Sequence, residues 1–337
     1  MKKAFITGIS GQDGAYLSKF LLEKNYQVYG ADRRTSGPSL WRLEKLGISN
    51  QINIIDCDLL ELSNIDRIIK NNKFNEIYNL AAQSFVGTSF NLPIYTSNVN
   101  AIGTLNILES IRNNDLNIKF YQASTSEMFG NIDSYPQNEK TNFYPRSPYG
   151  VSKLFAHWST INYRESYNMF ACSGIAFNHE SPLRGDEFVT KKIIKSFNNI
   201  KNGKEEFLEL GNLYSKRDWG FAGDYVEAMW MMLNSDIAKD YVISTGKTYS
   251  VKDFINKASK FFNFNIVWQG EGLNEVAIDK NTNKIIIKIS ELFYRPAEVD
   301  CLLGDSSKIN HDLGWKPQTT IDQLIEKMCD YELKGRI

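Results

Sequence analysis

The sequence predicts a doubly wound α/β fold, with a parallel sheet covered by helices on both faces and a smaller, mixed α/β C-terminal unit. Three observations predict it. Short apolar runs alternate with helix-period patterns through the first half. A glycine-spaced turn separates the first such run from the first such helix. The second half loses the alternation and carries turn-rich segments such as Gly270-Glu271-Gly272 and residues 279–284.

Taken in order, Ala4-Phe5-Ile6 reads as a strand, and residues 14–24 read as a helix with Leu17, Phe20, Leu21 and Leu22 toward one side. Strands follow over 27–31, 52–55 and 76–81, a helix over 98–112 and a fifth strand over 118–123. A long helix over 148–166 leads to a strand over 171–177. Beyond it, helices are expected over 190–201, 224–233, 251–262 and 320–333. The expected division is a first unit of residues 1–178 plus about 219–246, and a second unit of 179–218 and 247–337.

Composition excludes several function classes. The 337 residues carry 39 Lys+Arg against 39 Asp+Glu, so the net charge of zero offers no broad footprint for nucleic acid or an anionic membrane. The four cysteines share no CxxC spacing and form no ligand pattern with the three histidines, so no metal site is expected. Sparse cysteine use fits a reducing compartment. The Met1-Lys2-Lys3 start is not read as a signal peptide, because Gly8, Ser10, Gly11 and Asp13 interrupt the apolar run. No apolar run approaches the ~18 residues of a spanning helix. The expectation is a cytoplasmic protein.

After the first strand comes Gly8-Ile9-Ser10-Gly11-Gln12-Asp13-Gly14, spaced GxxGxxG. Glycine suits a tight turn out of a strand, a backbone that must approach a pyrophosphate, and a helix packed close to the sheet. The following helix N-terminus offers free N–H groups to phosphate. Glycines alone also serve ordinary turns; their place between a strand and a helix favours a Rossmann-like dinucleotide site. Asp13 would repel a pyrophosphate and is expected to point away from it or to bond a ribose or an amide. The second strand ends in Asp32-Arg33-Arg34. A carboxylate there selects NAD and guanidiniums select NADP. Both signals are present, and the two arginines favour NADP over NAD. Asp58 and Leu59 follow the third strand, near the expected adenine, and Leu80-Ala81-Ala82-Gln83-Ser84 follow the fourth with small residues that admit close approach.

Tyr149 and Lys153 lie four residues apart, hence on one helix face. Ser124-Thr125-Ser126-Glu127 ends the fifth strand, where open α/β sheets place their chemistry. A strand-end hydroxyl and a Tyr–Lys pair suit hydride chemistry between alcohol and ketone. Lys153 and a cationic nicotinamide should draw the phenol's pKa below its usual ~10. Glu127 is the discriminating residue. Hydride transfer alone needs no such carboxylate, whereas removing a proton α to a new ketone does.

These residues resemble the extended short-chain dehydrogenase/reductase family of nucleotide-sugar enzymes and, within it, the GDP-mannose 4,6-dehydratases. Residues 8–14, 120–127 and 144–150 carry the resemblance, as do 177–182, 216–220, 224–230 and 294–300. It implies catalysis by Thr125, Glu127 and Tyr149, with Lys153 supporting Tyr149 and the nicotinamide ribose. It implies cofactor contacts from Gly8, Ile9, Ser10, Gly11, Gln12, Asp13, Arg33, Arg34, Asp58, Leu59, Leu80, Ala81, Ala82, Gln83, Ser84, Tyr95, His179 and Arg184. GDP and the sugar fall to Asn178, Lys192, Arg217, Arg295 and Glu298, beside Ser84, Thr125, Glu127 and Tyr149. The implied reaction converts GDP-mannose to GDP-4-dehydro-6-deoxy-mannose and water by internal hydride transfer from C4 to C6. Another nucleotide-sugar dehydratase, epimerase or reductase of the family is the alternative. A homo-dimer or homo-tetramer is also implied, and the segment 35–47 with Trp41 could reach a neighbouring subunit. Leu183 and Lys191 depart from the family pattern at what should be the pocket edge, a change expected to affect sugar preference.

Overall fold

A computed structural model describes residues 1–131, 134–294 and 297–335. In its first half β1 (Lys3–Thr7), β2 (Gln27–Asp32), β3 (Asn53–Asp56), β4 (Glu76–Asn79), β5 (Lys119–Thr125) and β6 (Ala171–Ala176) alternate with helices. These helices are α1 (Gln12–Glu23), α2 (Trp41–Lys45), α3 (Leu62–Asn72), α4 (Val86–Asn91), α5 (Pro93–Ser97), α6 (Gly103–Asn114) and α7 (Pro148–Tyr167). The second half runs β7 (Asn178–Glu180), α8 (Val189–Lys201), β8 (Leu208–Leu210), β9 (Lys216–Arg217), β10 (Trp219–Phe221), α9 (Ala222–Leu233) and β11 (Tyr241–Ile243). It ends with β12 (Tyr249–Ser250), α10 (Val251–Ala258), β13 (Ile266–Gln269), β14 (Val276–Asp279), β15 (Lys284–Ile289), α11 (Ser307–Leu313) and α12 (Ile321–Lys334).

The main sheet has seven strands in the order β11-β6-β5-β4-β1-β2-β3, and every neighbouring pair is parallel. Chain order reverses between β1 and β4, so the loops at their carboxyl ends diverge and open a crevice there. Burial on both faces explains the continuous apolar runs: Ala4, Phe5 and Ile6 are fully buried, and so are all four residues of β4. The edge strand β11 comes from the second half and joins β6, while α9 packs against α1.

The second core gathers Phe197, Phe254, Phe262, Leu324 and Met328 around a four-stranded sheet ordered β13-β14-β15-β8. There β15 and β8 are parallel and the other pairs antiparallel. Residues 279–284, expected only as a turn, close the β14–β15 hairpin, with Asn283 in the left-handed region at φ 57°. These strands are absent from the sequence reading because they are short and lack clean alternation; α3, with Ile65, Ile68 and Ile69 buried at helical spacing, is also absent from it. Trp41 does not stand out as an exposed contact: it packs against the first core under the Arg42 guanidinium, 4.3 Å from its ring centre.

Candidate active site

Loops from the carboxyl ends of β1 to β6 converge on a cavity of about 1160 Å³, whose far wall comes from α8, β9, Leu292, Phe293, Tyr294 and Glu298. That volume lies above the roughly 300–1,000 Å³ typical of pockets for one drug-sized ligand.

The glycine turn forms one end. Gly8 has φ +71°, and a Cβ there would lie 2.8 Å from the Ala81 amide nitrogen. A Cβ on Gly14 would meet the Gly8 carbonyl oxygen at 2.4 Å, so α1 closes onto the turn only with glycine there. The Thr7 hydroxyl accepts from the Leu80 and Ala81 amides at 3.1 Å each, tying the two loops together. Gly11 gives α1 no side-chain cap, which leaves the amides of its first turn available to an anion. The turn, the uncapped helix and the small residues opposite fit a dinucleotide's phosphates.

Asp13 does turn aside. His179 donates from Nε2 to Asp13 Oδ2 at 2.7 Å and from Nδ1 to the Phe177 carbonyl at 2.7 Å. Both ring nitrogens meet acceptors, so the imidazole is held as its cation. Burial alone would raise Asp13, but the His179 charge and hydrogen bond overcome it and hold the carboxyl down at about 2. His179 rises in turn, burial opposing and the Asp13 carboxylate prevailing. Arg184 pairs with the buried Glu180 at 3.1 Å and lies 3.5 Å over the Phe188 ring.

At the adenosine end, the Arg33 guanidinium donates to the Tyr95 hydroxyl at 3.3 Å and stands 4.0 Å from Asp58. Asp32 accepts from Ser39. Arg34 does not reach the cavity, contrary to the pairing expected from the sequence. Ile9 and Gln83 also miss it. The Ile9 side chain is buried under Gly30, so only its backbone serves the turn. Gln83 faces its own loop, donating to the Phe85 carbonyl at 3.0 Å, with its amide bound to Asn100 at 2.9 Å.

The chemistry-bearing residues meet between the two ends. Ser147 caps α7 by accepting from the Gly150 amide at 3.0 Å, which fixes the first turn that carries Tyr149. A Cβ on Gly150 would lie 2.9 Å from the Glu127 carbonyl oxygen, so glycine lets the helix abut the end of β5. Tyr149, Thr125 and Glu127 line the same cavity, with Thr125 and the Glu127 carboxylate close enough to act on the phenol. The Thr125 hydroxyl also accepts from the Glu127 amide at 3.2 Å.

The expected lowering of the Tyr149 pKa is overturned within the polypeptide. Burial pushes the phenol up to about 12; the Thr125 hydrogen bond pulls it down and the Glu127 charge adds to the rise. Burial brings Lys153 down to about 8. Its ammonium is committed to the Ala123 carbonyl at 2.9 Å and stands 6.0 Å from the centre of the Tyr149 ring. Desolvation therefore wins over the ion at that distance. One turn on, His157 bonds Ser124 at 3.1 Å, and burial holds it neutral with a pKa of about 4.

At the far end, Arg217 donates to the Val299 carbonyl at 2.8 Å and lies 3.4 Å from Glu298. Lys192 donates to the Glu209 carbonyl at 2.8 Å, 3.6 Å above the Phe293 ring. Asn178 lies on the same wall, and Arg295 falls outside the described residues. Leu183 and Lys191 are not at the pocket edge. Leu183 is fully buried in the first core, and Lys191 pairs with Glu332 at 3.0 Å.

The family model for GDP-mannose 4,6 dehydratase matches residues 5–328. The chain belongs to the GDP-mannose 4,6-dehydratase family. A protein named GDP-mannose 4,6 dehydratase from Drosophila melanogaster is 48% identical over 341 residues, covering 99% of this chain and 86% of the relative. The Homo sapiens protein of that name is 48% identical over 340 residues, covering 98% and 91%. The fold also matches a dTDP-glucose 4,6-dehydratase from Bacillus anthracis solved with NAD, at TM-score 0.82 and 19% identity, covering 99% and 98%.

Sequence reasoning on this family member passed over Phe85, Phe188, Glu180, Asn100 and Arg42. Phe85, Asn100 and Arg42 act through contacts to residues distant in the chain, whereas Glu180 and Phe188 both meet Arg184, four residues from each, and Glu180 lies within the segment 177–182 that carries the resemblance.

Proposed function

We infer that this member of the GDP-mannose 4,6-dehydratase family converts GDP-mannose to GDP-4-dehydro-6-deoxy-mannose and water. The observation that carries this reading is the convergence of Thr125, Tyr149 and the Glu127 carboxylate at the middle of one cavity that also holds the glycine turn. A hydroxyl pair alone suits alcohol–ketone chemistry; the added carboxylate suits elimination.

A nicotinamide dinucleotide held here would supply the hydride chemistry, with hydride leaving C4 and returning to C6, so that turnover would leave the cofactor unchanged. Gly8, Ser10, Gly11, Gln12 and the Leu80–Ser84 segment hold its phosphates and nicotinamide side, with His179 and Arg184 across the turn. Asp58, Leu59 and Tyr95 hold its adenosine. Asp32 and Arg33 both line the cavity; NADP is favoured over NAD because Ser39 engages the Asp32 carboxylate and the Arg33 guanidinium suits a 2′-phosphate. The cofactor is assigned to residues 1–178 with about 219–246, and the nucleotide sugar to 179–218 and 247–337.

Asn178, Lys192, Arg217, Glu298 and Arg295 bind the nucleotide diphosphate and sugar. Cations suit a diphosphate and Glu298 suits hydroxyls. Ser84 and Thr125 bond the hexose oxygens. Tyr149 takes the proton of the C4 hydroxyl while Thr125 bonds the same oxygen. Tyr149 takes that proton as its phenolate, a form that burial opposes and the Thr125 hydroxyl favours. Glu127 removes the C5 proton, which the ketone acidifies, and gives it to the departing C6 hydroxyl as water. C5 then takes its proton from the Tyr149 hydroxyl, which returns Tyr149 to the phenolate it began as and closes the proton balance.

No helix among the described residues is long and apolar enough to cross a membrane. Val151, Phe155 and Trp158 stand exposed at helical spacing on α7, which supports the assembly of a homo-dimer or homo-tetramer. Incubating the purified protein with GDP-mannose and a panel of nucleotide sugars tests the activity. The expected result is a product of GDP-mannose lighter by one water, with no net change in nicotinamide absorbance. Stoichiometric consumption of NADPH would instead mark a reductase.

A further inference from the structure

We propose that Arg42 is a positioning residue that clasps the glycine turn to the segment 179–184 and thereby retains the cofactor; the inference rests on the dinucleotide reading of that turn. The guanidinium donates from Nη1 to the Ser10 carbonyl at 2.9 Å and from Nε to the Leu183 carbonyl at 2.8 Å. Its planar fork fixes the two carbonyls relative to each other. Trp41 backs the guanidinium at 4.3 Å and limits its swing.

The Ser10 carbonyl and the Gly11 N–H belong to one planar peptide unit. Arg42 holds its oxygen, and the Gly8 carbonyl accepts its N–H at 3.0 Å. Pinned at both ends, that plane cannot flip to turn a carbonyl toward an anion. Arg42 itself does not line the cavity, whereas Ser10 and Arg184 both do. It thus acts on the site only through the two backbone segments it joins.

The clasp has independent supports on the same two segments. Gln12 donates to the His179 carbonyl at 3.1 Å and accepts from Ser181 at 2.7 Å, and His179 holds Asp13. Opening the turn requires these bonds and both Arg42 bonds to break together. Such a device suits a cofactor that is restored within each cycle and has no need to leave.

The test uses the full-length protein loaded with NADPH, with release followed by loss of bound nicotinamide fluorescence after a chase of excess NADP. Arg42→Lys keeps charge and stem but cannot bridge two carbonyls as a fixed fork, and Arg42→Met removes both bonds. Losing a hydrogen bond from a charged group should speed release by about tenfold or more, less in Arg42→Lys than in Arg42→Met. The fall in retention should exceed any fall in kcat at saturating added cofactor. Unchanged release in a folded variant would overturn the proposal. So would a parallel fall of release half-life, kcat and Tm, which would reduce Arg42 to a structural role. Restored retention when ethylguanidinium is added to Arg42→Ala would support it even if Arg42→Met folds poorly. Release is read without any sugar, so a wrong substrate assignment leaves this result standing.

Discussion

The two ends of the cavity are built differently. At the glycine turn almost every polar side chain is already engaged with another part of the protein: Asp13 with His179, Glu180 with Arg184, Gln12 with Ser181. At the other end Lys192 rests on the Glu209 carbonyl, and Arg217 on the Val299 carbonyl and the partly exposed Glu298. The first arrangement is preorganised, so little is reordered when a ligand arrives. The second is held by contacts that a diphosphate can replace. The contrast matches one ligand that stays and one that turns over.

Four experiments break or sharpen that contrast. The largest effect is expected midway between the ends: Glu127→Gln should lower kcat by roughly 10²–10⁴-fold while leaving cofactor retention intact. Wild-type turnover in this variant would remove Glu127 from the mechanism. At the open end, Arg217→Met should raise KM for the GDP-sugar by roughly 10–100-fold, the equivalent of one charge-assisted hydrogen bond, with little change in cofactor release. A matching loss of cofactor would show that the two ends are not separable.

At the closed end, Gly14→Ala drives a Cβ to 2.4 Å from the Gly8 carbonyl oxygen. Overpacking of this kind costs typically ~1–3 kcal/mol, and thermal unfolding should show it together with weaker cofactor binding. A variant as stable as the parent would mean the turn is looser than its contacts imply.

The smallest effect concerns pH. Asp13 is depressed to about 2, so its contribution to stability is present above the ordinary carboxylate range and fades as pH falls toward that value. His179 is raised, so its contribution is present below the usual histidine range and fades as pH rises through its elevated pKa. Thermal unfolding should therefore show a plateau between the two limbs. In His179→Gln the alkaline limb should vanish; its persistence would assign it to another group.

Much of the candidate site is legible in the sequence because its determinants are local. The Gly8–Gly14 spacing dictates the turn, and four residues of helix place Tyr149 and Lys153 on one face. The direction of the Tyr149 pKa is not legible, since it depends on burial by segments remote in sequence. Arg34 and Gln83 show the same limit: each follows a strand as expected, yet neither side chain enters the cavity, because solvent claims one and Asn100 with Phe85 claims the other. The small sheet of β8 and β13–β15 is missed because short strands take their stability from partners, not from their own pattern.

The order of hydrophobic runs, the glycine turn and the strand-end hydroxyl and carboxylate are settled by the chain alone, because backbone sterics and helical period act over a few residues. Which charges pair across the cavity, how far burial shifts Tyr149 and Lys153, and where Arg42 reaches are settled only by the folded arrangement. Electrostatics and desolvation depend on distance and solvent access, and neither exists until distant segments are brought together.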